Sequence, residues 1–583
     1  MGERWGEWVR VPVGDEAARW ATRGGSTKVL LVVHNVTSAT RLLDVVPLFR
    51  DDLRVQLLAT CTGSSPFQAG LTELFDAVGV PLLPWEQAVG TPVALAISAS
   101  LGGQLDRIQG KLIVLSHGVG YNKILAPASQ PASQPASQPA SQPASQPASQ
   151  PASQPFVFGF DPALLLDQAG VPFVDAMVLS HPEQVERLAA ACPPAAATAV
   201  LAGDPCYDRL LSERPLRERF RRTLGVHPGQ QLLLLNSTWN PTALFGDGGP
   251  VDLLPLLLPR LRAELPADEY RVAAVLHPNI WHGHGPGQIR LWLDAAQRAG
   301  LTLIDPVHDW RQALLAADAV LGDFGSVSYY AAALGTPVLL GAASLDTLGP
   351  DSPVADFARK APQLDPYADL LPQLDRLRAE HRPFPGPAAL TSSDPGRAAG
   401  LLRALCYRLI GLPEPGTPAV LDRLPLPPYQ PPVRTAPLRV CTRVLRHGAV
   451  ELHRTVSPEY EPDGPGEGHL AVHEDTLDRE VLDLADLIYR YGAPDDPRFG
   501  TPADWTAEVL DRFPGCSLAA YVTGPHRCVA RHRNGLLVEL TTTDGGADPA
   551  AWASALLARP ATGPLGVRTG STTHAVQVTD LRR

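Results

Sequence analysis

The chain has 583 residues, with 60 acidic and 49 basic side chains and a formal net charge of −11 at pH 7. This length exceeds what one hydrophobic core usually supports, so two or three domains are expected. The acidic balance argues against nucleic acid as a partner and against strong adsorption to anionic lipid, although the basic run at 214–222 leaves peripheral membrane contact open.

Cysteine usage and the N-terminus predict the compartment. Seven scattered cysteines without a CxxC pair are typical of reduced thiols rather than of a disulfide framework. The charged start of the chain has no apolar stretch of the kind that signal peptides carry. No run of about 18 apolar residues occurs, so no transmembrane segment is expected. The sequence therefore predicts a soluble, cytoplasmic protein.

Residues 28–212 predict a first parallel sheet behind an N-terminal tail (1–27). Short apolar runs without polar alternation indicate strands that are covered on both faces. Helical patterns separate these runs, which together predict a Rossmann-like, doubly wound domain. The runs are Val29–Val33, Val55–Ala59, Val93–Ile97, Leu112–Leu115, Ala176–Leu179 and Ala199–Leu201.

Seven identical Pro-Ala-Ser-Gln repeats interrupt this domain at residues 127–154. Their composition cannot bury a core, and recurrent proline favours an extended, solvated backbone. We expect residues 127–155 to be a disordered insertion that leaves the sheet intact.

The same alternation restarts in residues 213–411 and predicts a second Rossmann-like domain. Its apolar runs are Leu232–Leu235, Val272–Leu276, Leu301–Ile304, Ala319–Leu321 and Pro337–Leu340. Two successive doubly wound sheets provide a crevice of the kind that binds nucleotide-linked substrates.

Proline is dense across residues 412–437, which favours a semi-rigid linker. Residues 438–583 then predict a small α+β domain without a catalytic motif. We expect paired strands at 440–445 and 449–456, helices at 477–491 and 504–513, and a hairpin around Asn534-Gly535.

His117 ends the apolar run 111–116 and precedes Gly118. An imidazole and a glycine at the end of a strand lie at the carboxyl edge of the sheet, where open α/β sheets bind ligands. Lys123 and His34 are candidates for the same crevice, since Lys123 follows closely and His34 ends the run 29–33. The alternative is a buried, hydrogen-bonded histidine beside a tight turn.

His277 ends the run 272–276 and predicts a second imidazole at a sheet edge. Asp323, Gly325 and Ser326 follow the run 319–321. Because Ser326 begins a helical pattern, its hydroxyl lies beside unpaired amide groups, which form a natural phosphate site. An ordinary helix cap is the alternative.

Ser237 and Thr238 follow the run 232–235 and predict either a polar ligand loop or a simple turn.

His277, His282 and His284 lie close to one another in the sequence and suggest zinc ligands. The glycines and the proline of this segment indicate a loop without helical ligand spacing, and no cysteine lies nearby. We therefore expect no metal.

Taken in order, these segments resemble the CDP-glycerol glycerophosphotransferase family, the polyol-phosphate polymerases and primases of teichoic acid synthesis. His117-Gly118 with Lys123 is similar to its His-Gly-Thr-Pro-x-Lys motif, with the lysine one residue later, and His277-Pro278 to its His-Pro. Three further segments resemble Gly-x-Pro-Arg-x-Asp, Pro-Thr-Trp-Arg and Ala-Asp…Thr-Asp-Tyr-Ser-Ser-Val…Lys-Pro; they are 203–208, 237–240 and 318–337. Asn240 and Cys206 replace arginines of the family motifs, and Gly325 replaces a serine. The loss of two cations and a hydroxyl weakens the expected binding of phosphate.

The resemblance implies a GT-B type fold of two Rossmann-like domains and no cofactor. It implies that a polyol-phosphate group moves from a nucleotide-diphospho donor, here suspected to be CDP-linked, to a hydroxyl acceptor. His117 is then the general base, and His277 is the second catalytic residue. His277 also binds the donor diphosphate. It does so together with residues that follow two other strands of the second domain, namely Ser326, Asp323, Gly325, Ser237 and Thr238.

Two other functions stay open. A degenerate protein of this fold would bind a nucleotide or a partner without turnover, which the lost arginines, the repeat and the additional C-terminal domain favour. A nucleotide-sugar 2-epimerase-like enzyme shares the double Rossmann layout, but it would need acidic residues and arginines in the crevice that these motifs do not supply.

Overall fold

The computed structural model describes residues 8–124, 156–430, 433–456, 467–543 and 547–582. The chain divides into two compact units. Unit 1 comprises residues 1–209, 343–360 and 384–422, and unit 2 comprises residues 210–342, 361–383 and 423–583. The segments 343–360 and 384–411 thus belong to unit 1, whereas the predicted boundaries assign them to the second Rossmann-like domain. The predicted insertion at 127–155 lies outside the described residues.

The described part of unit 1 contains one parallel sheet of seven strands, in the order β3-β2-β1-β4-β5-β6-β7. All neighbouring strands are parallel. The strand order reverses between β1 and β4, and the carboxyl ends of strands at such a switch point are where doubly wound sheets bind ligands. The strands are β1 Thr27–Val33, β2 Val55–Cys61, β3 Leu82–Leu83, β4 Leu95–Ser98, β5 Lys111–Val114, β6 Ala176–Leu179 and β7 Ala199–Leu201.

A second parallel sheet lies in unit 2 and has the order β10-β9-β8-β11-β12. Here the strand order reverses between β8 and β11. The strands are β8 Gln231–Ser237, β9 Tyr270–Leu276, β10 Thr302–Leu303, β11 Ala319–Gly322 and β12 Val338–Leu340. The two sheets confirm the predicted pair of Rossmann-like layers.

Unbroken apolar sequence forms these strands because helices bury both faces of each sheet. Residues 29–33 of β1 and 232–235 of β8 are all buried. The helices are α1 Ala17–Trp20, α2 Val36–Leu43, α3 Leu71–Val78, α4 Trp85–Gly90, α5 Pro162–Leu165, α6 Pro182–Ala191, α7 Pro205–Glu213, α8 Arg217–Thr223, α9 Leu254–Ala263, α10 Pro278–His284, α11 Pro286–Trp292, α12 Asp294–Arg298, α13 Trp310–Ala316, α14 Ser326–Ala333, α15 Pro353–Lys360, α16 Leu370–Ala379, α17 Pro385–Leu390, α18 Ala398–Ile410, α19 Glu480–Asp483, α20 Pro502–Arg512 and α21 Pro549–Ala558. None of the helices in the described ranges is long and apolar enough to cross a lipid bilayer.

The C-terminal part of unit 2 is a closed barrel, which corrects the predicted α+β domain. Its strands, as far as the described residues show them, follow the order β13-β14-β20-β21-β19-β18-β17-β16-β15 and close between β15 and β13. They are β13 Leu438–Val444, β14 Val450–Thr455, β15 Glu467–His473, β16 Leu487–Tyr491, β17 Leu518–Gly524, β18 Arg527–His532, β19 Leu537–Thr541, β20 Gly563–Thr569 and β21 Thr572–Asp580.

The alanine-rich helix α21 lies inside this barrel. Its residues 549–556 are all buried, and they pack against apolar side chains of the surrounding strands. The predicted hairpin at Asn534-Gly535 is present, since β18 and β19 pair in antiparallel fashion. The helix predicted at 477–491 is wrong: α19 takes up only four of these residues, and 487–491 form β16. A strand buried on both faces has no polar alternation, so its sequence resembles that of a buried helix.

Candidate active site

In unit 1, two imidazoles hold the loop that follows β4, residues 99–102 (the β4 loop). Nδ1 of His117 lies 2.8 Å from the carbonyl oxygen of Ala99. Nε2 of His34 lies 2.5 Å from the carbonyl oxygen of Gly102. A carbonyl oxygen only accepts, so both rings donate. The sheet order explains the arrangement, because β4 lies between β1, which ends beside His34, and β5, which ends shortly before His117.

The hydrogen bond to Ala99 fixes the tautomer of His117. With the proton on Nδ1, the neutral ring presents the lone pair of Nε2, which is the atom that a general base uses. His117 is itself exposed to solvent. The surrounding protein nevertheless disfavours the charged ring and lowers the pKa of His117, and the cations Arg41 and Lys123 lower it further, against the opposing effect of the Ala99 bond. A lowered pKa favours the neutral ring at physiological pH, so its Nε2 lone pair is free to accept a proton.

His34 is buried, and burial lowers its pKa to about 4. The bond to Gly102 opposes this shift, whereas the neighbouring His117 adds to it. The Nδ1 atom of His34 has no hydrogen-bond partner among the described residues. His34 is therefore a neutral group that supports the β4 loop from below. It is buried, whereas the sequence predicts a position that faces the crevice.

The other two predicted residues of unit 1 lie after β5. The carbonyl oxygen of Gly118 accepts from the hydroxyl of Ser116 at 2.9 Å, so this glycine belongs to a tight turn. Lys123 pairs with Leu348 as an isolated antiparallel bridge. Its charge acts on the ring of His117.

Sequence reasoning missed Arg41, a buried residue of α2. Its Nη1 donates to Asp204 at 2.9 Å, and Asp204 in turn accepts from the amide of Cys206 at 2.9 Å. Asp208 accepts from the amides of Gly396 and Ala398 and so fixes the start of α18. The segment 203–208 therefore ties elements of unit 1 together. The available signal for Arg41 was a lone cation on the face of α2 that buries Val36, Ala39 and Leu42.

In unit 2, the Asp323 carboxylate organises the loops after β8 and β11. Asp323 is fully buried. Its Oδ2 accepts from the amide of Thr238 at 2.8 Å, from the amide of Leu244 at 3.1 Å and from the hydroxyl of Ser237 at 3.2 Å. Its Oδ1 accepts from the amide of Gly325 at 2.9 Å. The structure thus brings together four of the residues predicted to bind the nucleotide donor, namely Asp323 and the three residues Ser237, Thr238 and Gly325 that bond to it. The carboxylate at their centre is buried.

Two glycines make this close packing possible. A Cβ on Gly325 would stand 3.0 Å from Oδ1 of Asp323 and 3.1 Å from Cβ of Thr238. A Cβ on Gly322 would overlap the hydroxyl of Ser328. Gly325, which replaces a serine of the family pattern, is therefore required by the space beside Asp323.

Ser326 and His277 are the more accessible members of this group, since both are partly exposed while Ser237, Thr238 and Asp323 are buried. Ser326 is the first residue of α14, as predicted, and Gly325 occupies the cap position without a side-chain cap. The amide groups of the first turn of α14 carry partial positive charge, which favours an anion.

His277 is the N-cap of α10, and its Nδ1 accepts from the amide of Asn279 at 3.1 Å. The neutral ring therefore carries its proton on Nε2, which makes that atom a hydrogen-bond donor. The loop predicted at 278–284 is wrong, because Pro278 is well suited to the first helical position and His277 caps the helix. Within the described residues, no group of three or more His, Cys, Asp or Glu side chains is arranged to hold a metal ion.

Comparisons with known proteins add little beyond the fold. No family model matches the chain, and no curated protein matches it. The wall teichoic acid polymerase TagF is 14% identical, with a TM-score of 0.42 over 66% of this chain and 89% of its own. A putative UDP-N-acetylglucosamine 2-epimerase from Listeria monocytogenes is 12% identical, with a TM-score of 0.37 over 66% and 96%. The Methanocaldococcus jannaschii UDP-GlcNAc 2-epimerase is 10% identical, with a TM-score of 0.41 over 65% and 100%. Likenesses of this size carry no argument about function.

Proposed function

We propose that the protein transfers a polyol-phosphate group, or a related phosphoryl or glycosyl group, from a nucleotide-diphospho donor to a hydroxyl acceptor. The observation that carries this proposal is the tautomer of His117. Its Nδ1–H donates to a backbone carbonyl, so Nε2 is left to accept a proton. Its lowered pKa favours the unprotonated form of this atom near neutral pH.

The reaction follows from this assignment. Nε2 of His117 removes the proton of the acceptor hydroxyl, and the oxygen attacks the distal phosphorus of the donor in line. The bond from that phosphorus to the bridging oxygen breaks, and the nucleoside monophosphate leaves with the electron pair. For a CDP-linked donor the products are CMP and a new phosphodiester. Such transfers depend on positioning and charge stabilisation more than on covalent catalysis.

In this proposal the donor diphosphate is bound in unit 2. Nε2–H of His277 and the first turn of α14 at Ser326 supply hydrogen-bond donors without a formal charge. Asp323 acts as a positioning residue that fixes Ser237, Thr238 and Gly325. This assignment differs from the direct donor contact expected from the sequence for Asp323 and Ser237, because both are buried.

The test is release of CMP from CDP-glycerol in the presence of a polyol or polyol-phosphate acceptor. We expect turnover, and we expect His117→Ala to lower kcat by about 10²–10⁴-fold, the usual contribution of a positioned base. His447→Ala is the matched control, since His447 is exposed in the barrel. Calorimetric binding of CDP should be the same in all three proteins. Unchanged kcat in His117→Ala would exclude His117 as the base.

Binding without turnover is a second candidate that one observation favours. Cys206 replaces an arginine of the family pattern. It is fully buried in α7, and its amide donates to Asp204. This position therefore provides no phosphate ligand. Tight binding of CDP together with no detectable CMP release would select this candidate.

A further inference from the structure

A small cavity in unit 2 lies where the linker and the barrel meet the second Rossmann-like sheet. It encloses about 40 Å³ and opens to solvent. A water molecule needs about 10–15 Å³ on this measure, so the cavity has room for roughly three waters or one small oxyanion. Its wall is mostly apolar and comes from α9, β9, α12 and the segments that follow α9 and α12, and two arginines, Arg262 and Arg434, supply the charge.

Neither of the two arginines at this cavity forms a salt bridge with a described residue, although the charge of Arg434 acts on Asp548. Arg434 is buried and donates only to the carbonyl oxygen of Ala267, at 2.7 Å. Nε of Arg262 is buried and has no hydrogen-bond partner in the described part of the chain. Charged side chains that leave water are normally paired, because desolvating an unpaired ion costs several kcal/mol.

A third arginine makes the imbalance larger. Arg271 is buried and donates to the carbonyl oxygens of Leu224 and Gly300, at 3.1 and 3.0 Å. Burial, followed by the charge of Arg434, lowers the pKa of Arg271 to about 9. The Arg434 side chain packs on the other side of Gly300, where an added Cβ would stand 2.8 Å from its Nε.

The nearby carboxylates are already occupied. Asp268 and Asp548 both bind Arg454, at 2.5 and 2.7 Å. Apart from Glu269, whose side chain is partly exposed, the charged groups of this junction are three buried arginines (271, 434 and 454) and two buried aspartates (268 and 548). At neutral pH they leave one uncompensated positive charge in the protein interior, and half-buried Arg262 adds a second charge at its edge.

We propose that the cavity binds a small oxyanion between Arg262 and Arg434. A phosphate, a sulfate or the carboxylate of a small organic acid is small enough for the cavity. It also carries the negative charge that the site lacks. The bound anion neutralises the junction and so strengthens the attachment of the barrel to the second Rossmann-like sheet. The cavity lies at the start of β9, whose other end carries His277, so this site is separate from the donor site proposed above and does not depend on it.

The test is thermal unfolding at constant ionic strength, with sodium chloride replaced stepwise by sodium phosphate, sulfate or acetate. We expect a saturable rise in Tm of about 2 °C at ten times the Kd, since unit 2 has more than 300 residues. Arg262→Met should lose this rise while its Tm in chloride stays within about 1 °C of wild type, since Arg262 makes no hydrogen bond that the change would break. Arg434→Met should also lose the rise, and its Tm in chloride should not fall, because the change removes an unpaired buried charge.

The control is Arg446→Met, which removes an exposed arginine of the barrel and should keep the full anion effect. Stabilisation by CDP should persist in Arg262→Met, which separates this site from the donor site. The proposal fails if no oxyanion raises the wild-type Tm above chloride, because the cavity then holds only water. It also fails if the rise survives in both cavity variants, or is lost in Arg446→Met.

Discussion

The two Rossmann-like sheets hold the loops at their ligand edges by opposite means. In unit 1, imidazole N–H groups of His34 and His117 donate to carbonyl oxygens of the β4 loop. In unit 2, the Asp323 carboxylate accepts from backbone amides. One edge is organised by imidazole donors whose pKa values lie below the usual value for histidine, and the other by a buried carboxylate that accepts. The same fold therefore gives its two halves different sensitivities to pH and to substitution.

The two candidate catalytic imidazoles differ in a similar way. Nδ1 of His117 donates, whereas Nδ1 of His277 accepts. A His-Pro sequence does not by itself decide whether the histidine is catalytic. His181-Pro182 makes the same capping hydrogen bond as His277-Pro278, with Nδ1 of His181 accepting from the amide of Glu183 at the start of α6. A His-Pro pair is thus first a helix cap, and its surroundings decide whether it also binds a ligand.

The largest expected effect concerns the support of the unit 2 edge. Asp323→Ala leaves three backbone amides without their acceptor, whereas the Ser237 hydroxyl keeps the carbonyl oxygen of Thr238 at 2.9 Å; each lost buried bond costs about 1–3 kcal/mol. We expect the free energy of unfolding to fall by about 3–5 kcal/mol in chemical denaturation. Amide hydrogen exchange should increase first in residues 238–245. Asp247→Ala, an exposed site in the adjacent loop, should change neither quantity, and an Asp323→Ala protein of wild-type stability would contradict the assignment.

A smaller effect separates the capping role of His277 from its proposed donor role. Asparagine is an excellent N-cap, so His277→Asn keeps the start of α10 but removes Nε2–H. We expect kcat/KM for the nucleotide donor to fall about 100-fold, the lower end for loss of one charge-stabilising donor, at unchanged Tm. His181→Asn is the matched control and should leave both values unchanged. Equal kcat/KM in the two variants would show that His277 is only a cap.

The smallest effect is a pH dependence of stability that arises in unit 1. The pKa of His34 falls from an unfolded value of 6.5 to about 4 in the folded protein. Between these values the unfolded chain binds more protons, so stability decreases as pH falls from 6.5 towards 4. From pH 7 to pH 5 this amounts to about 2 kcal/mol for one histidine.

His34→Gln should reduce the pH slope of the unfolding free energy by this amount, measured by urea denaturation at each pH. His447→Gln removes an exposed histidine and should leave the slope unchanged. Identical slopes in wild type and His34→Gln would mean that His34 is already protonated or accessible in the folded state.

Much of the fold follows from sequence because parallel strands are buried on both faces. The runs 176–179 and 199–201 were predicted at their observed bounds. The barrel was not predictable in the same way. Its central helix α21 is apolar on every side, so it has no helical periodicity, and β20 and β21 pair with strands far away in sequence.

The residues of the candidate site also differ in whether the sequence reveals them. His117, His277 and Ser326 were found because each follows an apolar run and so must lie at a sheet edge. The support roles of Arg41 and Asp323 depend on which loops the strand order brings side by side, as with Asp323 and Leu244. No local pattern in the sequence carries that information.

The order of the barrel strands has a consequence for how this part of the protein forms. The last two strands, β20 and β21, fill the gap between β14 and β19, and α21 precedes them in the chain. The barrel therefore cannot close before these two strands are available. The inner helix is enclosed in the same step, so assembly of the barrel is completed from its C-terminal end.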